Sequence, residues 1–282
     1  MFIIKSPKKL QKKIISLKHK GKKVGFVPTM GSLHKGHLSL VKKARKECDI
    51  VVVSIFINPA QFGPHEDLDK YPRNIKKDRE LLKCEKVDFL FLPAKEEMYV
   101  KEHSLFVVEE KISKVLCGNF REGHFRGVLT VCAKLFNIVQ PDRSYFGLKD
   151  LQQGYLIKKM VKELNMPVNV VLLPIVREKS GLAMSSRNVY LSDKDRMRSL
   201  SLKSSLNHII FLVKQGVKDV SILQKEGIKN LRKGVDKIDY LEIISLPDIA
   251  FPKKLKKRMR IAVLVAAYIG KTRLIDNIVF KV

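Results

Sequence analysis

Residues 50–57 are apolar and mostly β-branched, with only Ser54 interrupting them. A strand with no polar face must be covered on both sides, as the central strand of a parallel sheet is. The flanking pattern supplies the covering helices. Residues 23–27 read as an earlier strand. Residues 38–48 read as a helix with Val41, Ala44 and Cys48 on one face. A charged helix over 74–83 carries Ile75, Leu81 and Leu82, and a strand over 87–92 is stopped by Pro93. Strands alternating with helices of this length build an α/β, doubly wound parallel sheet. The alternation resumes with a helix over 128–139, a short strand over 144–146, a helix over 150–164 and a strand over 168–173.

From Ser192 the texture changes. Ser192, followed by Asp193 and Asp195, fits a helix cap with acidic residues in the first turn. Helical pattern then dominates to about residue 231, and strands are expected over 240–245 and 261–269. The chain therefore reads as two domains, 1–175 and a smaller α+β domain over 176–282. Its 282 residues suffice for both cores.

Several function classes are disfavoured by composition. The apolar run at 261–269 is far shorter than the roughly 20 residues that cross a bilayer. The first residues lack the apolar stretch and cleavage site of a signal peptide. A soluble, cytoplasmic protein with no membrane partner is expected. Cys48, Cys84, Cys117 and Cys132 are widely spaced with no C-x-x-C pair, so neither metal ligation nor disulfides are expected. The net charge of +28 raises the question of nucleic acid. The basic pairs, such as Lys8-Lys9, Lys22-Lys23 and Lys253-Lys254, are scattered, and lysine greatly outnumbers arginine. We read this as solvated surface, with no specific nucleic-acid partner.

Four short segments can carry chemistry. Thr29-Met30-Gly31-Ser32-Leu33-His34-Lys35-Gly36-His37 lies where a strand gives way to a helix. Its glycines allow close backbone approach, and a helix N-terminus favours phosphate. His34 and His37, three residues apart, share a helical face. They could donate hydrogen bonds to a phosphate whose charge grows in a transition state. Asn58-Pro59-Ala60-Gln61 follows the apolar strand and offers neutral donors and acceptors suited to hydroxyls and a carboxylate. Gly147-Leu148-Lys149-Asp150 opens a helix that carries Gln152 and Gln153, and Lys149 could neutralise phosphates. Met184-Ser185-Ser186-Arg187 places two hydroxyls and an arginine in a loop, where arginine could bind phosphate bidentately. The chain has neither G-x-x-x-x-G-K-[ST] nor G-x-G-x-x-G, which disfavours P-loop and dinucleotide-binding enzymes.

His34-Lys35-Gly36-His37 resembles the H-x-G-H motif of nucleotidyltransferases, and Met184 to Asn188 resembles their second, K-M-S-K-S-type loop. Longer segments are similar to the pantoate–β-alanine ligase (pantothenate synthetase) family. These are Pro28 to Gly31, Ile57 to Phe62, Gly123 to Val128, Lys134 to Val139, Phe146 to Asp150 with Gln152-Gln153, and Thr272 to Asn277. They run in family order over nearly the whole chain.

The resemblance implies a Rossmann-like fold and an ATP-dependent, AMP-forming ligase that joins pantoate to β-alanine through pantoyl adenylate. It implies ATP contacts at Met30, Gly31, Ser32, Leu33, His34, Lys35, Gly36, His37, Gly147, Leu148, Lys149, Asp150, Val176, Met184, Ser185, Ser186 and Arg187. His37, His34 and Lys149 become the catalytic candidates, with His37 the proton donor. Gln61 and Gln153, with Asn58 nearby, are implied to hold pantoate and β-alanine. Arg121 and His124 are secondary candidates. Mg²⁺ is implied to arrive with ATP, held mostly by phosphate and water and by no protein metal site. A homodimer is implied as well. One departure is Glu122, where the family usually has proline. Two other classes compete: a nucleotidyltransferase that stops at nucleotide transfer, and a nucleic-acid binder suggested by charge alone.

Overall fold

A computed structural model describes residues 1–64 and 66–282. The chain divides into two compact units, Met1–Val176 and Arg177–Val282.

The first unit opens with β1 (Phe2–Ile4) and α1 (Pro7–His19), neither expected from the sequence. Three residues are too few for a strand period to register. The start of α1 is conventional: Ser6 caps it, Pro7 takes the first position, and Leu10 and Ile14 form its buried stripe. The predicted alternation follows as β2 (Val24–Thr29), α2 (Lys35–Glu47), β3 (Ile50–Ile55), α3 (Ile75–Cys84) and β4 (Phe89–Phe91). Two single-turn helices come next, α4 (Lys95–Met98) and α5 (Cys117–Phe120). Then come α6 (His124–Val139), β5 (Arg143–Gly147), α7 (Leu151–Glu163) and β6 (Asn169–Leu173).

The six strands form one parallel sheet in the order β1-β4-β3-β2-β5-β6. From β2 the chain winds outward through β3 to β4, then returns to lay β5 on the other side of β2. That reversal is the place where such sheets bind ligands. β2 stays paired with β3 from Val24↔Ile50 to Thr29↔Ile55, and β5 with β6 from Arg143↔Asn169 to Gly147↔Leu173. Between β2 and β5 the register holds only Gly25↔Arg143 and Phe26↔Ser144. The carboxyl halves of these two strands therefore part, and the sheet opens a crevice.

Alternation along β2 separates two cores. Val27 packs with Leu40, Val41 and Ala44 of α2 and with Leu82 of α3. Phe26 points the other way and meets the edge of Phe136 on α6, their ring centroids 6.5 Å apart. α6 is buried nearly all round, through Val128, Leu129, Val131, Leu135, Phe136 and Val139. Its start at His124, four residues earlier than the sequence suggests, brings Gly127 inside the helix. There it lies so close to the short 3-10 turn Pro59–Gln61 that an added Cβ would sit 2.1 Å from the Ala60 carbonyl oxygen.

The second unit contains α8 (Asp193–Lys214), α9 (Val220–Leu231) and an antiparallel sheet of β7 (Lys237–Ser245), β8 (Arg260–Ile269) and β9 (Thr272–Lys281). Ser192 caps α8 as its sequence predicts, accepting from the Asp195 N–H. β8 is buried along most of its length beneath Leu202, Leu206 and Ile209 of α8 and Leu223 and Leu231 of α9. β9, which the sequence reading did not foresee, carries the Thr272-to-Asn277 segment. Its buried Asp276 forms a two-pronged ion pair with Arg177, at 2.7 and 2.8 Å.

Gly127→Ala must push α6 off the 3-10 turn, because the obstructing atoms are backbone. The expected loss is about 1–3 kcal/mol or more of stability, read as a lowered urea midpoint with an unchanged slope.

Candidate active site

The turn after β2 is built by hydrogen bonds to its own backbone. Thr29 Oγ1 donates to the Ser54 carbonyl at 2.8 Å and accepts from the Gly31 N–H at 3.2 Å. Gly31 and Ser32 then take left-handed conformations, with φ of +85° and +50°. At Gly31 a side chain would press on Ile55 and Asp78, so glycine answers both the conformation and the space. Asp78 of α3 reaches under the turn. Its carboxylate accepts from the Ser32 N–H at 2.9 Å and the Leu33 N–H at 2.8 Å. Burial pushes its pKa up, against those two bonds, which favour the charged form.

α2 begins at Lys35, earlier than expected, because His34 is its cap. His34 Nδ1 accepts from the Gly36 N–H at 3.1 Å, and His37 Nδ1 from the His34 N–H at 3.3 Å. The two rings lie 4.1 Å apart, tilted by 36°. A ring nitrogen that accepts carries no proton, so each neutral imidazole bears its hydrogen on Nε2. Burial, followed by the charges of His34 and Lys149, lowers the His37 pKa to about 3. At neutral pH His37 is therefore an uncharged N–H donor in the first turn of a helix.

The ends of β3 and β5 adjoin this turn. Gln61 Nε2 lies 3.0 Å from Met30 Sδ, joining the Asn58–Gln61 segment to the turn. Asn58 is 1% exposed, and protein groups engage both ends of its amide. The sequence reading offered that amide to a ligand. In the structure it is spent on Ala60, Tyr99, Gly127 and Gln61. Gly147 ends β5, and Leu148–Asp150 form a 3-10 turn into α7, with Lys149 near enough to act on the His37 charge. The two glutamines of α7 part company. Gln152 is buried and bonds Cys117 N, Ile112 O and Val115 O, whereas Gln153 is half-buried.

Arg121 and His124 form a second tier beneath Gln61. Arg121 makes a paired ion bridge to Glu66, 2.6 Å at each prong, and its Nη1 lies 3.0 Å from His124 Nε2. His124 Nδ1 donates to the Gln61 carbonyl at 2.8 Å. Burial, then the Arg121 charge, holds the His124 pKa near 3. Glu122 is exposed on this turn.

Val176 ends the first unit, and Met184 to Arg187 belong to the second. Within that unit, Ser185 Oγ accepts from the Arg187 N–H at 3.3 Å. Glu178 fixes the base of the loop, binding Asn188 Nδ2 at 2.8 Å and Arg196 at 2.9 Å. Asp78, Glu66 and Glu178 were not foreseen. Asp78 left a trace, since it is four residues from buried Leu82 and so shares the inward face of a charged helix.

The pantoate–β-alanine ligase family model matches residues 2–279. The chain belongs to that family. A pantothenate synthetase of Thermotoga petrophila is 51% identical over 278 residues, covering 98% of this chain and 99% of the relative. Among solved members of the family, pantothenate synthetase from Thermus thermophilus is 42% identical with a TM-score of 0.92, covering 99% of each chain. The pantoate–β-alanine ligase of Francisella tularensis, solved with an ATP compound and β-alanine, is 36% identical with a TM-score of 0.81, covering 99% of this chain and 97% of its own.

The imidazoles of half-buried His37 and buried His124 stay neutral in the fold but protonate near pH 6.5 when unfolded. A folded pKa below the unfolded one means that acid destabilises: the unfolded state binds more protons between about pH 3 and 6.5. At pH 5 each imidazole is expected to cost about 2 kcal/mol. Urea melts of wild type and His37→Asn between pH 7.5 and 4.5 check this, with a shallower loss on acidification expected in the variant.

Proposed function

We propose that the chain condenses pantoate with β-alanine at the expense of ATP, through pantoyl adenylate, in the pathway to pantothenate. The carrying observation is that neutral Nε2–H donors at the start of α2 share one crevice edge with the Gln61 amide. The first suit a phosphate chain, the second a small hydroxy acid.

In the first step a pantoate carboxylate oxygen attacks the α-phosphorus. The bond to the β-phosphate bridging oxygen breaks, and pyrophosphate leaves with that electron pair. In the second, the β-alanine amine attacks the acyl carbon. The C–N bond forms, the C–O bond to AMP breaks, and the amine sheds a proton. No protein nucleophile is needed, so positioning and charge stabilisation carry the rate. Gly31 to His37, Gly147 to Asp150 and Val176 would line the ATP site. His34 and His37 would donate to phosphate oxygens, and Lys149 would balance their charge. Bound triphosphate would raise the His37 pKa, which makes a proton on the departing pyrophosphate attainable. Gln61 and Gln153 would hold the acid.

Among the described residues no group of three or more His, Cys, Asp and Glu is placed to hold a metal ion. Mg²⁺ would arrive with ATP, ligated by phosphate oxygens and water. No helix among the described residues is long and apolar enough to cross a membrane. We place the reaction in the cytoplasm and expect a homodimer, which sedimentation would test.

ATP–pyrophosphate exchange should require pantoate and proceed without β-alanine. Exchange independent of pantoate would overturn the reading. His37→Ala should lower kcat by about 10²-fold or more, and an unchanged kcat would remove it from the mechanism.

A further inference from the structure

Tyr99 follows α4 and is far in sequence from every residue assigned above, yet its hydroxyl lies 2.8 Å from Asn58 Oδ1. We propose that Tyr99 is a positioning residue: through Asn58 it fixes the direction of the Gln61 amide, so that Gln61 meets the substrate acid only as a hydrogen-bond donor. This deepens the ligase reading and rests on it.

Two backbone groups with no choice of role settle the orientation of Asn58. The Ala60 N–H can only donate, and it faces Oδ1 at 3.3 Å. The Gly127 carbonyl can only accept, and it faces Nδ2 at 3.0 Å. The oxygen and nitrogen of this amide are therefore not interchangeable. The Tyr99 hydroxyl, set against an oxygen without hydrogen, must donate. The remaining Asn58 N–H points at Gln61, 3.1 Å away, so the Gln61 atom there is Oε1, accepting. What Gln61 turns towards Met30 is then Nε2, with two hydrogens and, among the described residues, a thioether, a weak acceptor, beside it.

The relay is sheltered from solvent exchange, since Asn58 is 1% exposed. The Tyr99 ring is fixed from several sides. His103 meets it edge-on with centroids 4.9 Å apart, Phe56 lies at 6.3 Å, and the Lys134 ammonium is 5.5 Å from the ring centroid. Burial pushes the phenol up to about 12, so the hydroxyl keeps the proton it must donate. The reacting acid must be ionised to attack phosphorus, and a carboxylate only accepts. A glutamine locked as donor matches it, where a freely rotating one would spend part of its time presenting an oxygen.

The test is ATP–pyrophosphate exchange by the full chain. Tyr99→Phe keeps the ring and its packing and removes one hydrogen bond. The KM for pantoate should rise about tenfold, with the KM for ATP unmoved within about twofold. An unmoved pantoate KM, or an equal rise in both, would overturn the proposal. Gln61→Glu tests the polarity itself. At pH 7.5 it should raise the pantoate KM by about a hundredfold or more, because like charges then face each other. Relative to wild type, binding should recover as pH falls toward 5, where a protonated carboxyl regains a donor. Equal or tighter pantoate binding at pH 7.5 would mean that Gln61 accepts, and the proposal falls. If wild type exchanges without pantoate, the ligase reading fails and takes this inference with it. If wild type needs pantoate and both variants are indifferent, this inference alone fails.

Discussion

Everything at the candidate site hangs on the early parting of β2 and β5. Two registers join them, whereas their outer neighbours stay paired to the strand ends. A backbone that leaves a ladder must find other partners for its N–H and C=O groups. Here the freed segments turn sharply, into a left-handed step at Gly31 and Ser32 and a 3-10 turn at Leu148–Asp150. The same separation places the start of α2 opposite the start of α7. A sheet paired to its full length would have left no room for a ligand between them.

Much of this was legible from residue types. The apolar run at 50–57 required a doubly covered strand, and the alternation around it gave the parallel sheet. The capping serine at 192 and the glycine at 31 declared themselves, because one carries a hydroxyl where a helix starts and the other sits where no side chain fits. The histidine pair was legible as a pair but not as a cap. Imidazole is an uncommon cap, so the helix was started three residues late. β1 escapes the sequence reading because three residues carry no period, and α1 because its lysine-rich sequence buries only Leu10 and Ile14. β9 escapes it because Thr272 to Asn277 reads as a family signature, which carries no conformation of its own.

The residues that escaped do so for a common reason: they act on other protein groups. Asn58 looked like a ligand group because an exposed amide could be one, and only its four partners tell otherwise. Glu66 sits in an irregular segment where one carboxylate resembles the next, and its meaning comes from Arg121, 55 residues away. Gln152 and Gln153 are the same residue type side by side, and helical rotation alone assigns one to the interior.

Asp78 grips the turn after β2 by the amides of Ser32 and Leu33, not by their side chains. Every residue except proline offers that same amide. The grip itself is therefore indifferent to side-chain chemistry. What restricts exchange at these two positions is the backbone and the core: Ser32 holds a left-handed φ of +50°, and the Leu33 side chain is buried in the core shared with α2 and β3. The amides hold the path of the chain, and the side chains tie that path to the interior.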